Sequence, residues 1–155
     1  MKLKTILLFG VLLISASACS VLTSGRKGSV YEKAVVAGVA ADYLGALLRQ
    51  DTQSINVVVL WDDFIENAPG ELTKEVYFKQ LRLLEPSQWK SSEHPLTSLD
   101  IIDIQFSGNL ADVSLQKVKN PDAPKIKIIL FWTGGGWLIA GDTLFGTEGL
   151  LHQLG

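Results

Sequence analysis

The sequence predicts an α+β domain in which N-terminal helices pack on a bent antiparallel β-meander. Three observations predict it. Between Ser29 and Leu84, apolar residues recur at three- and four-residue spacing between helix caps. From Leu99 onward the period changes to two. The later segments are joined by short links rich in Gly, Pro and Asn, which suits antiparallel neighbours.

Ser29 and Glu32 have the spacing of a capping box, so a first helix is expected from Val30 to about Gln50. Its small residues Ala34, Gly38, Ala41 and Gly45 form a stripe that would let another element approach closely, and most of the helix is expected to be covered. Asp51 stops this helix and caps a second. Ile55 to Trp61 is β-branched enough to suit a strand. Trp61, Phe64 and Ile65 nevertheless continue a helical face past Asp62 and Asp63, and helix is the expectation. Asn67-Ala68-Pro69-Gly70 is a turn. Thr73 caps the next helix, with Leu72 and Tyr77 at the positions of a hydrophobic staple and Pro86 as the stop.

The strands follow. Leu99 to Phe106 places Ile102, Ile104 and Phe106 on one face. Ala111, Val113 and Leu115 alternate with Asp112, Ser114 and Gln116, the pattern of a half-buried strand. Ile126, Ile128, Leu130 and Trp132 form a third strand, and Gly134-Gly135-Gly136 turns into a last one from Trp137 to Leu144. The tail from Gly146 to Gly155 carries Leu150, Leu151 and Leu154. It either packs as a short helix or offers an apolar patch to a partner.

Ahead of the domain, Met1-Lys2-Leu3-Lys4 is a short basic start, and Thr5 to Ala18 contains no charge. A charged start, a short apolar run and small residues at its end make a secretory signal over residues 1–18. The run is shorter than the roughly 18 residues a membrane-spanning helix needs. Ser15-Ala16-Ser17-Ala18-Cys19-Ser20 resembles the lipobox of bacterial lipoproteins, in which Cys19 becomes a lipidated N-terminus; Ala16 stands where Leu is usual. Ala16-Ser17-Ala18 also reads as an ordinary cleavage site for plain secretion. Residues 19–28 are then a lipidated Cys and flexible tether, and 29–155 a single domain. Ser20, rather than Asp, after Cys19 implies by that resemblance an outer-membrane lipoprotein facing the periplasm if the cell is Gram-negative.

Composition excludes several classes. The chain has 155 residues, 14 basic and 16 acidic. Removing Lys2 and Lys4 with the signal leaves 12 basic against 16 acidic, a net charge of -4. With no Lys/Arg cluster, no nucleic-acid partner is expected. A single Cys excludes an internal disulfide framework and any Cys-based zinc finger. No metal site and no cofactor motif is expected: Gly134–Gly136 lacks the Lys-Ser/Thr of a phosphate loop, and Asp62, Asp63 and Glu66 make a solvated helix face rather than a calcium loop.

Taken together, Arg49-Gln50-Asp51, Leu60-Trp61-Asp62-Asp63-Phe64 and the closing hairpin Ile129 to Asp142 resemble the nuclear transport factor 2-like (cystatin-like) superfamily over about Val30 to Phe145. The resemblance implies a bent sheet wrapped round helices, leaving a cone-shaped cavity. Some members are isomerases or dehydratases, and many are lipoproteins of unknown role, so the fold does not settle function. An enzyme of the isomerase type needs a carboxylate beside a Tyr or neutral acid inside the cone. The available pieces are Tyr43 and, on the strands, Asp103, Asp112 or Asp142; Asp112 should face water, Asp103 points opposite to Ile102 and Ile104, and Asp142 stands among apolar neighbours, while Trp132 and Trp137 are candidates for the cavity mouth. His94 reads as a surface residue in a polar loop. The leading expectation is a non-enzymatic, membrane-anchored module binding a small apolar ligand or an envelope protein. A cone-cavity enzyme and a structural subunit of an envelope complex are the alternatives. Monomer and homodimer are both open.

Overall fold

Ser29 caps the first helix as its spacing requires. Its hydroxyl accepts the Glu32 backbone N–H at 3.1 Å, and α1 runs over Val30–Leu48. In this computed structural model the structure describes residues 28–90 and 93–153. The export signal, Cys19, the tether up to residue 27, and Leu154 in the tail lie outside the described residues. α1 turns Val36, Ala40, Tyr43, Ala46 and Leu47 to the core. The small stripe does not face a neighbour, contrary to expectation. Ala34, Gly38 and Ala41 are exposed, and Gly45 is half-buried beneath the Arg49 guanidinium. The large apolar residues on the opposite side bury more surface and win the inner face.

Asp51 caps α2 (Thr52–Val58) by accepting from the Ser54 amide at 3.1 Å and the Ser54 hydroxyl at 2.6 Å. These bonds to the charged form hold its carboxyl below the ordinary carboxylate range. The segment Ile55 to Trp61 is helical with one break. At Val59 and Leu60 the chain extends, Val59 forms a parallel bridge to Ile139, and the Leu60 N–H donates to the Ile139 carbonyl at 2.8 Å. The β-branched residues thus serve both readings: helix to Val58, then one strand-like contact. α3 (Trp61–Glu66) resumes immediately. α4 (Lys74–Leu81) is capped by Thr73 and tightens into a 3₁₀ turn at Arg82–Leu84.

The sheet is an antiparallel meander in the order β1-β2-β3-β4: β1 (Leu99–Ser107), β2 (Leu110–Lys117), β3 (Ile126–Trp132) and β4 (Trp137–Asp142). Chain order is therefore helices first, then a four-stranded open sheet, an α+β arrangement. Ala111, Val113, Leu115, Ile126, Ile128 and Leu130 supply its buried face.

Two bulges alter the simple alternation. In β1 the register shifts between Ile101 and Asp103, so Ile102 has no partner and is exposed; Ile101, itself partly exposed, sits opposite buried Leu115 instead. The expected face of Ile102, Ile104 and Phe106 is corrected to Ile101, Ile104 and Phe106. In β4 the register shifts at Ala140: Leu130 pairs with Ile139 and Ile128 with Asp142. Ile139 and Asp142, three positions apart, consequently point to the same side of the sheet.

The two sheet edges differ. The outer edge of β4 is covered, with Ile139 bound by Leu60 and the Ala140 carbonyl accepting from the Asn67 side chain at 3.0 Å. Asn67 ties down the end of α3 as well, through the Asp63 carbonyl at 2.9 Å. β1 forms the other edge, blunted by its bulge and by exposed Asp100 and Asp103. After β4 the chain folds back over the core, and Leu144, Phe145 and Leu151 are fully buried. The tail thus packs through a short 3₁₀ turn, Leu150–Gln153.

Candidate functional site

Tyr43 and Asp142 lie 99 positions apart in sequence and meet in the core. α1 carries Tyr43 inward, and the β4 bulge turns Asp142 to the same interior. The Tyr43 hydroxyl donates to Asp142 Oδ2 at 2.8 Å. Asp142 Oδ1 accepts the backbone N–H groups of Leu144 at 2.9 Å and Phe145 at 3.2 Å. The third member is Tyr77 of α4, whose hydroxyl oxygen is 3.1 Å from that of Tyr43. Each hydroxyl has one proton. Since Tyr43 gives its proton to the carboxylate, Tyr77 donates to Tyr43. The proton order is therefore Tyr77 to Tyr43 to Asp142.

This triad is sealed. Tyr43 and Tyr77 have no exposed surface, and Asp142 is 2% exposed. Burial pushes the Asp142 carboxyl up to about 6, against the opposing pull of the Tyr43 bond and the two amides. Burial, reinforced by the Asp142 charge, also raises both phenols well above their ordinary value. Both tyrosines therefore remain protonated at any physiological pH and serve as donors.

Aromatic rings fill the space around the triad. Tyr77 stacks on Phe145 with centroids 4.0 Å apart and meets Phe64 edge-on at 5.4 Å. Trp61 closes the outer side, 5.0 Å from Tyr77, with the Lys74 ammonium 4.9 Å above the indole. Gln80 of α4 locks the returning chain. Its side chain accepts the Gly146 N–H at 2.9 Å and donates to the Gly146 carbonyl at 3.2 Å. Gly146 stands at φ +109°, and a Cβ there would collide with the Pro69 carbonyl, so a glycine is required at this closure. Among the described residues no buried side-chain polar atom lacks a partner.

The other two candidates lie elsewhere. Trp132 and Trp137 are strand partners, with edge-to-face centroids 5.7 Å apart. They stand at the opposite end of β4 from Asp142, about 17 Å away at strand rise. The four named residues therefore form two pairs rather than one site. Among the described residues, two grooves open between neighbouring elements. A groove of about 440 Å³ between α2 and α4 is lined by Gln50, Asn56, Phe78 and Arg82 among others. Another of about 420 Å³ lies between α4 and the tail, beside Lys79 and His152. Among the described residues no three His, Cys, Asp or Glu side chains converge as metal ligands, and no helix is long and apolar enough to cross a membrane.

Two residues were misjudged or missed by sequence reasoning. His94 is 2% exposed rather than on the surface: one ring nitrogen meets the Leu84 carbonyl at 2.8 Å and the other accepts the Leu96 N–H at 3.1 Å. It pins the loop before β1 to the end of the helical layer. Tyr77 had a signal as a staple residue, but nothing local marks its hydroxyl as a partner of Tyr43. Comparisons with protein-family models and with curated proteins gave no match.

Proposed function

We propose that the chain is an envelope lipoprotein, held to the membrane through Cys19, whose domain takes the nuclear transport factor 2-like form and acts as a non-enzymatic binding module for a protein partner. The observation that carries this reading is the sealed interior. A ligand carrier of this form needs an apolar cavity of roughly 300 Å³ or more. Here the space between helices and sheet is occupied by Tyr43, Phe64, Tyr77 and Phe145, each without exposed surface. Recognition then falls to the outer surface, where the α2–α4 groove and the exposed Val57 are available.

A second reading has one observation in its favour. A carboxyl raised to about 6 beside two protonated phenols is the acid–base set an isomerase or dehydratase would use. It requires the aromatic packing to part and admit a substrate to Asp142. Native mass spectrometry of the exported protein separates the readings. A clean protein mass supports the binding module. A small molecule lost on denaturation overturns it and favours an occupied cone. In the same cells, a photo-crosslinking residue at Val57 should give one discrete protein adduct; adducts of twice the chain mass would instead make the partner a second copy. A chain that crosslinks to nothing contradicts the proposal.

A further inference from the structure

Gly28 fixes where the chain enters the domain. Its backbone stands at φ +53°, and a Cβ there would run into the ring of Phe106 near the end of β1. Phe106 packs edge-on against Trp137 with centroids 5.8 Å apart, and Trp137 against Trp132. The Trp132 N–H donates to the Asn109 carbonyl at 2.8 Å. The β1–β2 and β3–β4 turns therefore lie side by side, and the incoming chain arrives next to them.

The two ends of the sheet differ in the charge of their turns. The tips Ser107-Gly108-Asn109 and Thr133-Gly134-Gly135-Gly136 carry no charge. Near them Val30 is 87%, Tyr31 80% and Leu110 40% exposed, and Trp132 is half-buried. At the opposite end of the sheet, Lys117, Lys119, Asp122 and Lys125 lie in or beside the β2–β3 connection. Aromatic and apolar side chains among uncharged tips settle at a lipid–water boundary, whereas charged loops stay in water.

We infer that the two-hairpin end of the domain is a second membrane-contact surface, seated on the bilayer that holds the Cys19 anchor. This rests on the lipoprotein reading above. Cys19 stands nine positions before Gly28, a reach of at most about 30 Å when fully extended. The anchor therefore keeps the hairpin end nearest the bilayer. α1 leads away from this end, so the groove beside Gln50 and Thr52 is held on the aqueous side, open to a partner.

The test uses the full-length, processed protein reconstituted in vesicles of phosphatidylethanolamine and phosphatidylglycerol. One cysteine carries a polarity-sensitive fluorophore, at Gly135→Cys, Tyr31→Cys or, as control, Lys119→Cys. Gly135 has open space around it, so the change fits. The expected result is a blue shift at positions 135 and 31, quenched by brominated acyl chains, with none at 119. If the protein floats with vesicles and none of the three positions shifts, the anchor holds but the domain makes no lipid contact, and the inference falls. If all three shift alike, the contact is not confined to this end, and it falls as well. A shift at 135 only in native membranes, not in protein-free vesicles, assigns the surface to a protein and overturns the lipid assignment. If the protein fails to float and the intact mass shows Cys19 without acyl chains, the anchor reading fails and this inference falls with it.

Discussion

The two ends of β4 are built on opposite principles. At the Asp142 end, polar groups are taken inside and every bond is satisfied: two amides and a phenol on one carboxylate, with a second phenol behind. At the Trp137 end that indole is buried, but Val30, Tyr31 and Leu110 are left exposed beside uncharged turns and the point where the chain enters. A buried charge is tolerated only when paired and hydrogen-bonded, so the first end is rigidly specified. Exposed apolar groups cost the fold little and are useful only to something outside it. The difference separates residues that make the structure from residues available for contact.

The largest expected effect is at the sealed end. Asp142→Ala leaves the Leu144 and Phe145 amides and the Tyr43 hydroxyl without an acceptor, and should cost about 3 kcal/mol of stability, measured by urea denaturation at pH 4, where the folded carboxyl carries no buried charge. Were the cost below about 0.5 kcal/mol, water would be replacing the carboxylate and the interior would not be sealed. Tyr77→Phe removes one donor and leaves the ring packing on Phe145 and Phe64, so a loss of about 1 kcal/mol is expected. At the other end Leu110→Ser should change stability by no more than about 0.5 kcal/mol. A cost there comparable with Tyr77→Phe would mean that the hairpin end is structural after all, and the contrast would collapse.

Much of the architecture was legible in the sequence because it is written in local chemistry. Ser29, Asp51 and Thr73 are side-chain caps, and each was readable from residue type and spacing. The alternation of Ala111, Val113 and Leu115 gave β2 its buried face directly. Less was legible where one residue breaks a period. Simple alternation from Trp137 and Ile139 puts Asp142 on the outer face, and only the bulge at Ala140 returns it inward. Ile102 was misplaced for the same reason in β1. The small stripe on α1 misled because spacing shows which residues share a face and not which face is covered. Of the candidate site, the Tyr43–Asp142 pairing was hinted at by a carboxylate among apolar neighbours. Tyr77 and the burial of His94 depend on contacts between distant elements, which no local pattern encodes.

The most direct test of the sealed interior is stability against pH for the wild-type protein and Asp142→Asn. Asn keeps an acceptor for the two amides and turns an NH2 donor to the Tyr43 hydroxyl, which then passes its proton to Tyr77, but it cannot ionise. In the wild type the folded carboxyl titrates near 6 and the unfolded one at its ordinary value of 3.8. Between those values the folded state holds a proton that the unfolded state has released, so stability falls as pH rises through this window and levels off above it. Relative to Asp142→Asn, the wild type should lose about 2 kcal/mol between pH 4 and pH 7. A difference between the two proteins that stays flat across that range would mean that Asp142 titrates alike folded and unfolded, that water reaches it, and that the interior is an open cavity rather than a filled core.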